Sequence, residues 1–170
     1  MRPSVRQVLD ALTDAAAFVR NGRLDILAVN EVGRAIFADA LDVADRLPNF
    51  ARFIFTDPRA SDLYADRKDV ARRAVGSLRR EAMRSRSDAL FSLIWELSEY
   101  SDEFRMLWAS HEMVTHRSGT QSLRHPVSGV LTLSYSVFDL PGDPDQTMVV
   151  YTADPGSLSQ QALKSLRTQS

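Results

Sequence analysis

The hydrophobic period of this chain changes once, close to His111, and no fold built from one kind of element can satisfy both halves. Upstream, apolar residues recur at helical spacing: Ala71, Ala74, Val75 and Leu78, then Leu90, Leu93, Ile94 and Leu97, then Phe104, Leu107 and Trp108. Downstream, Leu131, Leu133, Tyr135 and Val137 alternate with Thr132, Ser134 and Ser136, which is the period-two pattern of a strand with one buried face.

The remaining elements fall around that switch. Val5, Val8, Leu9 and Leu12 predict a short amphipathic helix with Ser4 as its cap. Two apolar runs, 17–20 and 24–29, flank Asn21-Gly22, the dipeptide suited to a type I′ hairpin turn, and Asn30 then caps a short helix ending near Phe37. Helices follow over about 49–55, 66–84 and 87–100, with another opening at Ser101. A turn at 141–145, an apolar strand at 147–152 and a last helix capped by Ser157 complete the chain. The order is hairpin, helical insertion, then about three strands. An α+β fold answers both periods: an antiparallel sheet of about five strands covered by a long helical insertion.

Composition removes several functions. The 21 basic residues nearly cancel the 22 acidic ones, so no net field holds a phosphate backbone or an anionic leaflet. Cysteine is absent, which excludes disulfides, thiolate metal sites and a cysteine nucleophile, and fits a cytoplasmic protein. No apolar run reaches the ~18 residues of a membrane span. The seven glycines are scattered and build no phosphate-cradling loop, and no nucleophile elbow is present. No enzyme is expected. His111 and His116 lie five apart, on different sides of a helix, so the reading for His111 is a backbone-bonded imidazole or a carboxylate donor, not a metal ligand. His125-Pro126 marks a sheet edge or bend. The basic residues between Arg67 and Arg86 interleave with acidic ones and carry no stacking aromatics, the mark of a solvated, ion-paired face.

Phe50, Phe53, Phe55, Phe91, Trp95, Tyr100, Phe104 and Trp108 concentrate aromatic surface on the insertion. Such helices either fill a core or wall an apolar pocket, with Arg52 or Arg105 available for an acidic head group.

Particular runs are more specific. Asn49-Phe50-Ala51-Arg52-Phe53-Ile54-Phe55-Thr56-Asp57-Pro58-Arg59-Ala60 resembles a signature of the MmyB-like ligand-binding domains of bacterial helix-turn-helix transcription regulators. Glu96-Leu97-Ser98, Ser101-Asp102-Glu103-Phe104-Arg105, Leu107-Trp108-Ala109 and His111 resemble a second element of that family. Ser118-Gly119-Thr120, His125-Pro126-Val127, Gly129, Leu131 and the closing Tyr151-Thr152-Ala153, Pro155, Gly156-Ser157 follow in the family's order.

The resemblance implies a PAS-like effector domain over residues 1–170. It would bind a small, fatty-acid-like apolar ligand, use no cofactor, form a homodimer, and meet DNA only through an N-terminal domain outside this chain. The candidate ligand residues are Phe18, Arg52, Phe53, Phe55, Trp95, Phe104, Arg105, Trp108, His111 and His125, with the last four aromatic and histidine positions from Phe104 onward expected near one end of one pocket. Gln121 stands where the family usually carries a lysine. If that lysine holds a ligand carboxylate, the exchange implies a less acidic ligand here. The alternative is a ligand-free dimerisation module whose interface is the apolar stripes of the first and last helices.

Overall fold

The computed structural model describes residues 1–114 and 116–167. The expected hairpin forms from β1 (Ala16–Asn21) and β2 (Ile26–Val29), and the expected meander from β3 (Ser118–His125), β4 (Gly129–Asp139) and β5 (Gln146–Thr152). All pairs are antiparallel, and the sheet order is β2-β1-β5-β4-β3. This is an α+β fold, and its order is compatible with the PAS-like expectation. The strand β3, which ends at His125 beside Pro126, is an edge strand, as a proline there requires.

The hairpin turn differs from the sequence expectation. Leu24 amide donates to the Asn21 carbonyl, Asn21 amide donates to the Asp25 carbonyl, and the positive φ (67°) falls on Leu24, not on Asn21 or Gly22. This is a three-residue loop closed by a left-handed residue. What holds a leucine there is a polar knot: Asn21 Oδ1 accepts from the Arg23 and Asp25 amides, and Asp25 accepts from Asn21, Arg23 and Asn49 side chains. Leu24 is 2% exposed, so its side chain gains burial in the core in return for the backbone strain.

The helices are α1 (Pro3–Ala11), α2 (Glu31–Ile36), α3 (Ala38–Leu41), α4 (Phe50–Thr56), α5 (Arg59–Leu63), α6 (Arg67–Arg84), α7 (Asp88–Tyr100), α8 (Asp102–Ala109) and α9 (Leu158–Arg167). Sequence reading anticipates most of these; α3 and α5 are additions. Helix α1 opens at Pro3, whose fixed φ suits the first turn, so Arg2 and not Ser4 occupies the cap position. Asn30, Asn49, Asp66, Ser101 and Ser157 do cap the helices after them.

Asn30 does more than cap. Its Oδ1 accepts from the Ala17 and Gly33 amides and its Nδ2 donates to the Leu12 and Ala15 carbonyls, so one buried side chain ties α1, β1 and α2 together. Alternation along β1 then assigns its residues to opposite faces. Ala16 and Phe18 join the main core beneath the helical insertion, while Ala17 and Val19 pack with Val5 and Leu9 of α1 in a smaller cluster on the outer face. The insertion lies over the inner face, and α9 rests against α2 and β4 with Leu163 and Leu166 buried.

Candidate functional site

Where helices α4 and α6 cover the strands, the core is not completely filled. A cavity of about 60 Å³ lies between them, walled on the apolar side by Phe18, Phe50, Ile54, Val70 and Val149. Its polar side carries Arg20, Arg73, Ser77, His116, Gln121 and the phenols of Tyr64, Tyr135 and Tyr151. Among the described residues no carboxylate lines it. A wider, more polar opening of about 300 Å³ adjoins it, sharing Arg20, Leu24, Ser77 and Val137 in its wall.

Each polar group has a definite state. Burial, aided by neighbouring phenols and opposed by neighbouring guanidiniums, pushes the Tyr64 phenol up, and burial likewise raises Tyr151 to about 12. Both are therefore neutral hydrogen-bond donors at physiological pH. Tyr151 Oη donates to Gln121 Oε1 at 3.3 Å, which leaves Gln121 Nε2 buried with no partner among the described residues. Arg73 is committed: it pairs with Asp69 at 2.9 Å and lies 4.7 Å from the Tyr135 ring centroid. Arg20 is not. The residue is only partly buried and borders both the cavity and the wider opening; the burial it has lowers its pKa from the ordinary arginine value. It makes no side-chain hydrogen bond or ion pair among the described residues.

Of the ten residues nominated from sequence, Phe18 lines this cavity. Phe53 is buried beside Tyr64, with ring centroids 6.3 Å apart, but faces another part of the core. Phe55, Phe104 and Trp108 form one packed stack: Phe55 meets Phe104 edge-on at 5.1 Å, Phe104 stacks on Trp108 at 5.8 Å, and Arg79 caps Trp108 at 5.1 Å. In that trio Phe104 is core, while Phe55 and Trp108 are partly buried and pack against it at the margin between α4, α6 and α8. Arg52 forms a bidentate pair with Glu96 at 2.8 and 2.7 Å, binding α4 to α7; this pairing raises Arg52 and lowers Glu96.

The others lie apart from the cavity. Trp95 is 71% exposed on the outer side of α7. Arg105 is exposed and pairs with Asp102 one turn away in α8. His111 is also exposed; its φ of 58° ends α8, and its Nδ1 lies 2.6 Å from the Ala109 carbonyl, so the imidazole finishes a helix. His125 sits at the opposite end of β3, where Nδ1 accepts from the Val127 and Ser128 amides and Nε2 lies 3.3 Å from the Ala35 carbonyl. Phe104, Trp108, His111 and His125 therefore do not share one pocket end.

A profile described as the MmyB-like transcription regulator ligand binding domain matches residues 1–166. The chain belongs to this family. No curated protein matches it. Members are effector domains of regulators, so this MmyB-like domain has a regulatory and not a catalytic role. Among the described residues, no group of three or more His, Asp or Glu side chains could hold a metal ion, and no helix is long and apolar enough to cross a membrane.

Sequence reading did not nominate Arg20, Tyr64, Arg73, Tyr135 or Tyr151 in the MmyB-like domain's cavity. Arg20 carried the one usable signal. It is a charge at an inward position of β1, two residues beyond Phe18, whose alternation with Ala17 and Val19 sets its face.

Proposed function

We propose that this MmyB-like domain binds a small, largely apolar molecule between the sheet and helices α4 and α6, and that occupancy changes DNA binding by a helix-turn-helix domain of the same cytoplasmic regulator. The observation that carries the reading is the cavity itself. Aromatic walls, neutral phenols and an orphaned buried amide converge on one space, a combination that filled cores avoid.

Strand β1 supplies the route to a response. Phe18 and Arg20 face the cavity, while Ala17 and Val19 of the same strand press on Val5 and Leu9 of α1. A ligand that binds better when β1 shifts also favours a different seat for α1, and so a different arrangement of whatever α1 connects to. At about 60 Å³ the cavity has room for about two water volumes of ~30 Å³ each, so larger ligands require the helical layer to open.

A homodimer is the natural partner state for such a regulator. The ligand-free dimerisation module has less support, because much of the stripes of α1 and α9 is spent within the fold: Val5, Leu9, Leu163 and Leu166 are buried, leaving Val8 and Leu158 exposed.

The experiment is extraction of denatured, purified protein followed by mass spectrometry, together with thermal melts against a panel of small acids and lipids. A stoichiometric molecule, or a concentration-dependent rise in melting temperature, supports the sensor. Neither result would leave the domain without a ligand and favour the interaction module.

A further inference from the structure

The geometry points to Arg20 as the anchor for a carboxylate, making the ligand of this domain a compact organic acid whose apolar body lies among Phe18, Phe50 and Tyr151. This rests on the ligand-binding reading above and adds the charge, the size class and the residue that selects them.

Three observations converge. First, among the described residues the cavity wall holds two guanidiniums and no carboxylate, and of the two Arg73 alone has a counter-ion, in Asp69. Arginine keeps its charge at every ordinary pH, and Arg20 has no counter-ion of its own where it borders the cavity, so its fork is available to an anion entering there. The acids of the adjoining opening are committed elsewhere or do not close on it: Glu81 pairs with Arg84, Asp139 pairs with Arg117, and Asp145 makes no ion pair with Arg20.

Second, Gln121 is 7% exposed and its Nε2 faces the same cavity with no acceptor. The Tyr151 hydroxyl fixes that orientation by donating to Oε1. An amide N–H and a guanidinium bordering one space, with no anionic acceptor among the described residues of its wall, are donors for a planar two-oxygen group. The position where a lysine was expected from the family therefore lacks the charge, while the cavity does not; Arg20 carries it from the neighbouring part of the sheet. The ligand is acidic despite Gln121.

Third, the space is small. At about 60 Å³ it is far below the ~300–1,000 Å³ of pockets that enclose drug-sized ligands, and its deep wall is aromatic on several sides. A short or planar acid fits after a small opening of the helical layer. A long acyl chain would have to displace Phe18 or Phe50, which pack together at 4.6 Å between centroids.

The test measures melting temperature and calorimetric affinity for the wild-type domain with benzoate, benzamide, octanoate and myristate. The expected result is that benzoate or octanoate binds and raises the melting temperature, and that the uncharged benzamide does neither. Arg20→Met should weaken the carboxylates roughly tenfold to a hundredfold, as loss of a charge-assisted contact does. Arg20→Lys should recover part of the affinity. Equal binding of benzamide and benzoate to wild type, a comparison that needs no variant, would overturn the anchor while leaving the domain a ligand binder. Unchanged benzoate affinity in Arg20→Met would do the same, and binding of myristate alone would overturn the size class. Failure of every compound, with nothing extractable from the protein, would sink the ligand-binding reading as well.

Discussion

The two faces of strand β1 border two unlike spaces. Inward, toward α4 and α6, lies the small cavity with its guanidiniums, phenols and orphaned amide. Outward, beside α1, lies a groove of about 470 Å³ formed by Val5, Val8, Leu12, Phe138, Leu140, Met148 and Val150 with Ser4 at its end. The outer space is the larger, yet it offers no hydrogen-bonding or charged side chain apart from that serine, and it is open. Volume and apolarity alone do not make a specific site; a few placed polar groups in a desolvated space do, because an unmatched donor there penalises every wrong ligand. On the proposed function, this contrast favours the inner face for recognition and the outer face for packing against α1.

The strongest way to break that assignment is to remove the wall of the inner space. Phe18 is 3% exposed and touches Phe37, Phe50 and Tyr151 at centroid distances of 5.5, 4.6 and 6.2 Å. Phe18→Ala should lower stability by about 3–5 kcal/mol in urea unfolding, and an apolar additive should restore part of it by filling the void. A loss below about 1 kcal/mol would mean that the inner wall is loose and already shaped as an open pocket.

The polar knot beside Leu24, whose side chain lines the inner space, gives a smaller effect with a pH signature. Burial alone would push the Asp25 carboxyl up, but hydrogen bonds from Asn49, Asn21 and Arg23 outweigh it and hold the pKa below the ordinary value. A depressed folded pKa means that the unfolded state binds the proton more tightly. The stabilisation is therefore complete above the unfolded value of about 3.9 and is lost as pH falls through the lower folded one. Asp25→Ala should cost about 1–3 kcal/mol at neutral pH, by leaving the Asn49 and Asn21 amides short of an acceptor, and its deficit should shrink at acid pH. A deficit that does not change with pH would assign the role of Asp25 to packing around Leu24.

How much of this was readable in advance depends on which physical force sets each feature. Periodicity and caps reflect local chemistry, so the longer helices of the insertion, the strands after it and the Asn30 and Ser157 caps were visible in the sequence. The hairpin turn was misjudged because Asn21-Gly22 favours one turn locally, whereas burial of Leu24 and the Asp25 knot select another. The site was mostly hidden. Aromatic density on α7 and α8 drew attention to Trp95, Phe104 and Trp108, but the same density fills a core as readily as it walls a cavity. Arg20, Gln121 and Tyr151 come from three strands, and only the order β1-β5-β4-β3 brings their faces together. Arg52 and His111 looked like ligand groups because their types suit one; Glu96 and the end of α8 use them instead.

The smallest expected effect tests the outer face. Val8 is 54% exposed on α1 and Phe138 53% exposed on β4, so each borders the groove without being buried by it. If this groove serves only to seat α1 through Val5 and Leu9, Val8→Ser removes little apolar contact and should change stability by no more than about 0.5 kcal/mol, with acid binding at the inner cavity unaffected. Analytical ultracentrifugation of the same variant sharpens the comparison. A self-association that weakens when one half-exposed valine becomes polar would mean that the outer groove is covered by a second copy in solution. The difference between the two faces would then be between a ligand surface and a subunit surface, coupled through a strand one residue thick.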